Sequence, residues 1–360
     1  MFKKKSIKYS LAPQTEFYDS LSSSLSWKPF IMFGNFSNIR NTHCNTDSFG
    51  LRYNNFNNEK NYKNINNSIF DEKSTSNKEE AVLIGNSVAF GWGSTSDQNT
   101  ISSLLNEKTK FHFYNLGASG FSGFQEIIQF LSLQKKLNNI KKLIILSGVN
   151  DSFLPYYIKE FDENLGPFFS NSEFLNRMSK ASLSLKAKFE KFFYNKVMRK
   201  KINWNEMYEL DFHNKNNNKN YQFSDYKKKL NPDTSLKFLI DRNLSLWSII
   251  GKGMNIKICY ALQPLANWCG KELSIEEKKI FDELDQIGHS RHILSLIDIK
   301  KYDLVKNFLI QNCKKYDIKF MDCNDSIRKN NHHKEWLFLD RVHLNNKGNR
   351  YISEALLSLI

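Results

Sequence analysis

The chain has 360 residues, of which 40% are apolar, 14% aromatic and 25% charged, with 52 Lys and Arg against 37 Asp and Glu for a formal charge of +15. This composition excludes an intrinsically disordered chain, and the length allows one large domain or two ordinary ones with a core that needs no covalent staples. The excess charge is spread in small runs (Lys3–Lys5, Arg199–Lys201, Lys227–Lys229) and travels with an Asn-rich habit around residues 54–58 and 214–220, so no nucleic-acid partner is expected. A solvated basic face, or attraction to an anionic glycan, nucleotide-sugar or lipid head group, is the reading instead.

The N-terminus, MFKKKSIKYS, puts basic residues before polar ones rather than before an apolar stretch, so a secretory signal is not expected. No window reaches the roughly 18 uninterrupted apolar residues of a membrane span. Cys44, Cys259, Cys269, Cys313 and Cys323 are scattered, odd in number and without a CxxC pair. Neither a zinc site nor a disulfide framework is indicated, and a reduced, cytoplasmic location is expected. His332 and His333 are adjacent, and His289 and His292 lack a carboxylate-rich partner motif, so both pairs read as surface histidines. No metal and no cofactor is expected.

Residues 1–78 read as an N-terminal appendage, with aromatics and turn residues from Trp27 to Tyr53, the stretch NTDSFGLR from Asn45 to Arg52, and a polar, Asn-rich loop at 54–79. From residue 79 the pattern changes. Short apolar runs at Ala81–Ile84, Phe111–Leu116, Leu143–Leu146, Ile256–Leu262 and Ile318–Met321 suit buried parallel strands. Between them, helical patterns occupy Thr100–Leu105, Phe124–Leu137, Leu236–Ile250, Leu304–Cys313 and Tyr351–Leu359. The alternation predicts a three-layer α/β/α fold, a flavodoxin-like doubly wound parallel sheet of about five strands. Residues 152–234 are too many for a plain loop. Their apolar set at helical spacing (Phe174, Met178, Leu185, Phe189, Phe192, Val197) predicts an inserted helical lid over the carboxyl edge of the sheet, or alternatively a basic amphipathic helix for a membrane surface or partner.

Four short motifs stand at element ends. Gly85-Asn-Ser87 follows the first strand, where ligands bind in open α/β sheets, and presents a hydroxyl and a free amide. Asn115-Leu-Gly117-Ala-Ser-Gly120 follows the second strand; a glycine there lets the backbone approach a ligand and donate to a developing oxyanion. Ser147-Gly148-Val-Asn150-Asp151 follows the third, and the Asn150 carboxamide is a neutral donor suited to the same oxyanion. Asp340-Arg-Val-His343 precedes the last helix: a carboxylate three residues before an imidazole can fix its tautomer and leave the other nitrogen as base for an otherwise weak serine nucleophile. Asn345-Asn-Lys-Gly348 would cap that helix.

This ordered set resembles the SGNH/GDSL hydrolase family, over residues 80 to 360 excluding the insertion. The resemblance implies Ser87 as nucleophile, His343 and Asp340 as its triad partners, and an oxyanion hole made by the Ser87 and Gly117 amides and the Asn150 side chain. The text GNSVAFGWGSTSDQNTI followed by NLGASG, together with Leu262-Gln-Pro264, Lys271-Glu-Leu-Ser274 and NTDSFGLR, is similar to a branch of carbohydrate O-acyl esterases and acyltransferases of polysaccharide loci. Asn86 stands where the family has Asp, a position that supports the turn. The resemblance implies a serine esterase, or an acyltransferase, acting on a small-molecule or glycan ester. The alternatives are an idle SGNH-fold binding or regulatory protein and a peripheral membrane-associated acyltransferase.

Overall fold

The computed structural model describes residues 6–22, 26–28, 30–54, 68–71, 78–137, 139–157, 161–162, 166–167, 185–198, 231–286, 299–329 and 334–360. The histidines at 289, 292, 332 and 333, the three basic runs, and Phe174 and Met178 lie outside the described residues. The elements begin with helices α1 (Ile7–Leu11) and α2 (Gln14–Ser22) and a small hairpin, β1 (Ser26–Lys28) and β2 (Met32–Gly34). Then come β3 (Glu79–Gly85), α3 (Ser87–Phe90), α4 (Ile101–Lys108), β4 (Phe111–Gly117), α5 (Gly123–Leu133), β5 (Ile140–Ser147) and α6 (Val149–Tyr157). After the two-residue strands β6 (Phe161–Asp162) and β7 (Gly166–Pro167) and helix α7 (Leu185–Lys196), the chain continues with α8 (Pro232–Met254), β8 (Lys257–Leu262), α9 (Ala266–Cys269) and α10 (Ile275–Leu284). It closes with α11 (Ile299–Lys315), β9 (Lys319–Asp322), α12 (Cys323–Lys329) and α13 (Asn346–Leu356).

The main sheet has the order β4-β3-β5-β8-β9, with every pair parallel. Side chains of a strand alternate between faces, so a strand covered on both sides is apolar throughout. In β3, Val82 and Ile84 join one apolar layer with Ile127 and Phe130 of α5, Ile240, Leu244 and Trp247 of α8, and Val305 and Leu309 of α11. Ala81 and Leu83 face the other layer, with Ile101 and Leu105 of α4, Ile280 of α10, and Ile352 and Leu356 of α13. The fold is therefore a three-layer α/β/α sandwich with a doubly wound parallel sheet, as the alternation of runs predicts. The strand order reverses about β3, whose neighbours are β4 on one side and β5 on the other. The crevice for a ligand opens at the carboxyl ends of such strands.

The strands lie within a few residues of their sequence-based positions. The last helix starts at Asn346 rather than Tyr351, because Asn345 caps it by accepting the Gly348 N–H at 2.9 Å. Helix α10 has no counterpart among the sequence-based helices, although Ser274 and Glu277 form a capping box before it. All five cysteines are buried and free. Among the described residues, no helix is long and apolar enough to cross a membrane.

The chain divides into two compact units, residues 1–156 with 236–360, and residues 157–235. The first unit includes the described residues of the N-terminal segment as well as the sheet. In the second unit, α7 leaves Leu185, Phe189, Phe192 and Val197 exposed.

Candidate active site

Strand β3 ends at Gly85, whose φ is +156° and where a Cβ would overlap the Leu146 carbonyl oxygen of β5, so only glycine lets the two strand ends close together. Asn86 then caps α3: its Oδ1 accepts the Val88 N–H at 3.1 Å, and its Nδ2 donates to Gln263 Oε1 just past the end of β8. Both amide orientations follow from these partners, since a backbone N–H can only donate. Asn in place of Asp thus matches a buried glutamine. Ser87 is the first residue of α3, where a helix leaves backbone N–H groups without intrahelical acceptors. Gly91, with φ +86°, ends the helix after one turn.

The loop between α12 and α13 carries the other two side chains. Glu277, fully buried, accepts the Leu337 and Phe338 N–H groups at 2.9 and 3.0 Å and pairs with Lys271 at 2.5 Å. Leu339 N donates to His343 O at 2.8 Å, closing the turn. Within it, Asp340 Oδ1 accepts the Val342 and His343 N–H groups, both at 2.8 Å. Asp340 Oδ2 lies 2.8 Å from His343 Nδ1, and His343 Nε2 lies 2.9 Å from Ser87 Oγ. Three side chains separated by up to 256 positions thus form one hydrogen-bonded line. Burial works against the Asp340 charge, but His343, by charge and by hydrogen bond, and then Lys8, hold its carboxyl well below the usual carboxylate range. The imidazole stacks on Trp92, with centroids 4.0 Å apart.

The structure departs from the sequence-based assignment at Gly117. Its N–H donates to Asn115 Oδ1 at 2.9 Å and its carbonyl accepts Asn35 Nδ2 at 3.0 Å. A Cβ there would overlap the Phe90 nitrogen, so α3 rests directly on this glycine. Gly117 therefore packs against α3, and its amide is already taken by Asn115. Three residues on, no hydrogen bond among the described residues takes the Gly120 amide, and Gly120 stands in the turn that Ala118 N ties to Gly85 O at 3.0 Å. Asn150, on α6, donates from Nδ2 to the carbonyl of the next residue, Phe121, at 2.7 Å. One hydrogen of that amide is spent on orientation and the second remains to donate. Its neighbour Asp151 accepts the Gly123 N–H at 3.0 Å and Asn243 Nδ2 at 3.1 Å, which anchors the start of α6. The NLGASG text contains both glycines, but only the hydrogen bonds distinguish their surroundings.

The N-terminal segment supports this site in a way the sequence did not disclose. Arg52 is fully buried. Its Nε lies 2.9 Å from Asp97 Oδ1, its Nη1 donates to the carbonyls of Phe90 (3.2 Å) and Gly91 (2.7 Å), and its Nη2 donates to His43 O at 2.5 Å. Asn45 closes the same network through Asp97 Oδ2 at 2.7 Å. The two sequence stretches NTDSFGLR and GSTSDQNT thus meet as one buried ion pair beneath the end of α3.

No protein-family model matches the sequence, and no curated protein matches it. Among solved structures, the chain is similar to the acetyl xylan esterase AlAXEase, at 12% identity over 78% of this chain and 99% of that one, with a TM-score of 0.38. It is similar to LAE5, an alpha/beta hydrolase enzyme from the metagenome of Lake Arreo, Spain, at 11% identity over 79% and 95%, with a TM-score of 0.39. A member of the lipolytic protein G-D-S-L family from Veillonella parvula matches at 12% identity over 78% and 97%, also with a TM-score of 0.39.

Proposed function

We propose that this protein is a serine esterase of the SGNH type that hydrolyses or transfers an acyl group, acetyl first among them, on a carbohydrate or other small ester. The observation that carries the proposal is the line from Asp340 through His343 to Ser87, with contacts of 2.8 and 2.9 Å. In this mechanism His343 Nε2 takes the Ser87 proton as Oγ bonds to the acyl carbon. The Asp340 carboxylate holds the Nδ1–H tautomer and balances the imidazolium. The negative charge on the carbonyl oxygen is met by the Ser87 amide, the Asn150 side chain and, in place of Gly117, the Gly120 amide. His343 then gives the proton to the departing alkoxide. Water, or an acceptor hydroxyl, adds to the acyl-enzyme and returns Ser87 with its proton.

A fluorophosphonate reagent should add one covalent mass at Ser87, located by peptide mass spectrometry, and His343→Ala should abolish that labelling. Labelling elsewhere, or none on folded protein, would point to the idle binding-protein reading. Asn150→Ala should lower kcat for a short-chain aryl acetate by about 10²- to 10³-fold with KM little changed, the usual weight of one oxyanion donor. A loss under about threefold would remove Asn150 from the mechanism.

A further inference from the structure

Helix α1 is pinned to the far end of α10: Ser6 Oγ donates to Glu283 Oε2 at 2.7 Å and the Ile7 N–H to Glu283 Oε1 at 3.0 Å. This delivers Lys8, which is only 5% exposed, to the rear of the site. Its Nζ lies 2.9 Å from Asp19 Oδ2 and 3.9 Å from Asp340 Oδ2, the same oxygen that meets His343 Nδ1. It also stands 4.7 Å from the centroid of Trp92, the ring stacked on His343. Tyr18 of α2 packs on Trp92 as well, with centroids 5.5 Å apart. A buried ammonium is costly unless anions and aromatic faces surround it. Asp19 alone would satisfy a structural pair; placement toward Asp340 and Trp92 together links the cation to both groups that touch the imidazole.

We propose that Lys8 is a positioning residue, which through Asp340 and Trp92 fixes His343 for proton transfer and makes residues 6–22 a working part of the site. The inference rests on the serine-esterase reading. Glu283 of α10 also faces this residue, accepting the Lys8 N–H at 3.3 Å, and the neighbouring Tyr9 lies among Asp19, Glu16 and Glu283. Beside Asp340, Arg341 is paired with Asp285 at 2.5 Å. Among the described residues, Lys8 is therefore the cation that faces the carboxylate oxygen used by the imidazole. Removing it takes away a cation that faces the Asp340 carboxylate and the Trp92 ring, the two groups that hold the imidazole in place.

The test compares full-length Lys8→Met and Lys8→Arg with the unmodified protein in aryl-acetate hydrolysis across pH. Lys8→Met should lower kcat about tenfold, the weight of one charge-assisted contact, with KM within about twofold. The pH profile of its kcat/KM should depart from the original, and Lys8→Arg should restore most of the rate and the profile. Circular dichroism at each pH keeps loss of folded protein apart from loss of rate. A Lys8→Met profile that superimposes on the original, or a loss that only follows the unfolded fraction and is not rescued by Arg, overturns the assignment. If the unmodified protein is neither active nor labelled at Ser87, the esterase reading fails and the Lys8 assignment falls with it. If it is both and Lys8→Met is silent, the Lys8 assignment alone is wrong.

Discussion

Ser87→Ala is expected to lower kcat for a short-chain aryl acetate by on the order of 10⁶-fold while leaving the circular dichroism spectrum and melting temperature near those of the original protein. The size follows from the chemistry: without Oγ no acyl-enzyme forms, and His343 Nε2 has no proton to take. The fold should survive because Ser87 spends only its hydroxyl on the contact with His343, while the turn is held by Asn86, Gly85 and Gly117. His343→Ala should be nearly as damaging. Asp340→Asn should cost less, on the order of 10⁴-fold, because the amide turns a donor toward Nδ1 and favours the tautomer that cannot accept from Ser87. An Asp340→Asn loss larger than that of His343→Ala, or a Ser87→Ala enzyme within about tenfold of the original, would break the proposed roles. The depressed Asp340 carboxyl also has a consequence for stability. A carboxylate held below its unfolded value stabilises the fold above about pH 4, and that contribution is lost as the pH falls through the lowered value.

Arg52→Met should produce the largest loss of stability, about 3–5 kcal/mol, or a fall in melting temperature on the order of 10 °C. Arg52 and Asp97 are 0% and 4% exposed at the side chain, so removing the cation strands a carboxylate in the interior. It also takes the guanidinium donor from the Phe90 and Gly91 carbonyls, which loosens the end of α3 and through it the Ser87 turn. Activity measured well below the melting temperature should therefore fall as well. Arg52→Lys should recover only part of either property, because a point charge can meet Asp97 but cannot reach the surrounding carbonyls as well with a planar fork. Melting by near-ultraviolet circular dichroism reads the first effect and aryl-acetate turnover the second. An Arg52→Met protein that melts within about 2 °C of the original would show that the buried pair is energetically idle.

Much of this architecture is written locally. A run such as Ala81–Ile84 followed by glycine suits a strand covered on both faces, and five such runs alternating with helical patterns leave the parallel three-layer sheet as the simple solution. The proposed site residues Ser87, Asn150, Asp340 and His343 stand out in the sequence for the same reason: each lies within a few residues of an element end whose turn chemistry its neighbours announce. The proposed division of labour between Gly117 and Gly120 is not legible there, because it depends on whether Asn115 turns its side chain back onto the nearer amide and on what lies against the glycine face, here the backbone of α3. Nor were Lys8 and Arg52. A lysine in a basic N-terminus and an arginine at the end of a turn-rich stretch look like surface residues until other parts of the chain enclose them. Local preference determines where elements begin and end; long-range packing decides which polar side chains are taken from water, and therefore which of them must find partners at the site.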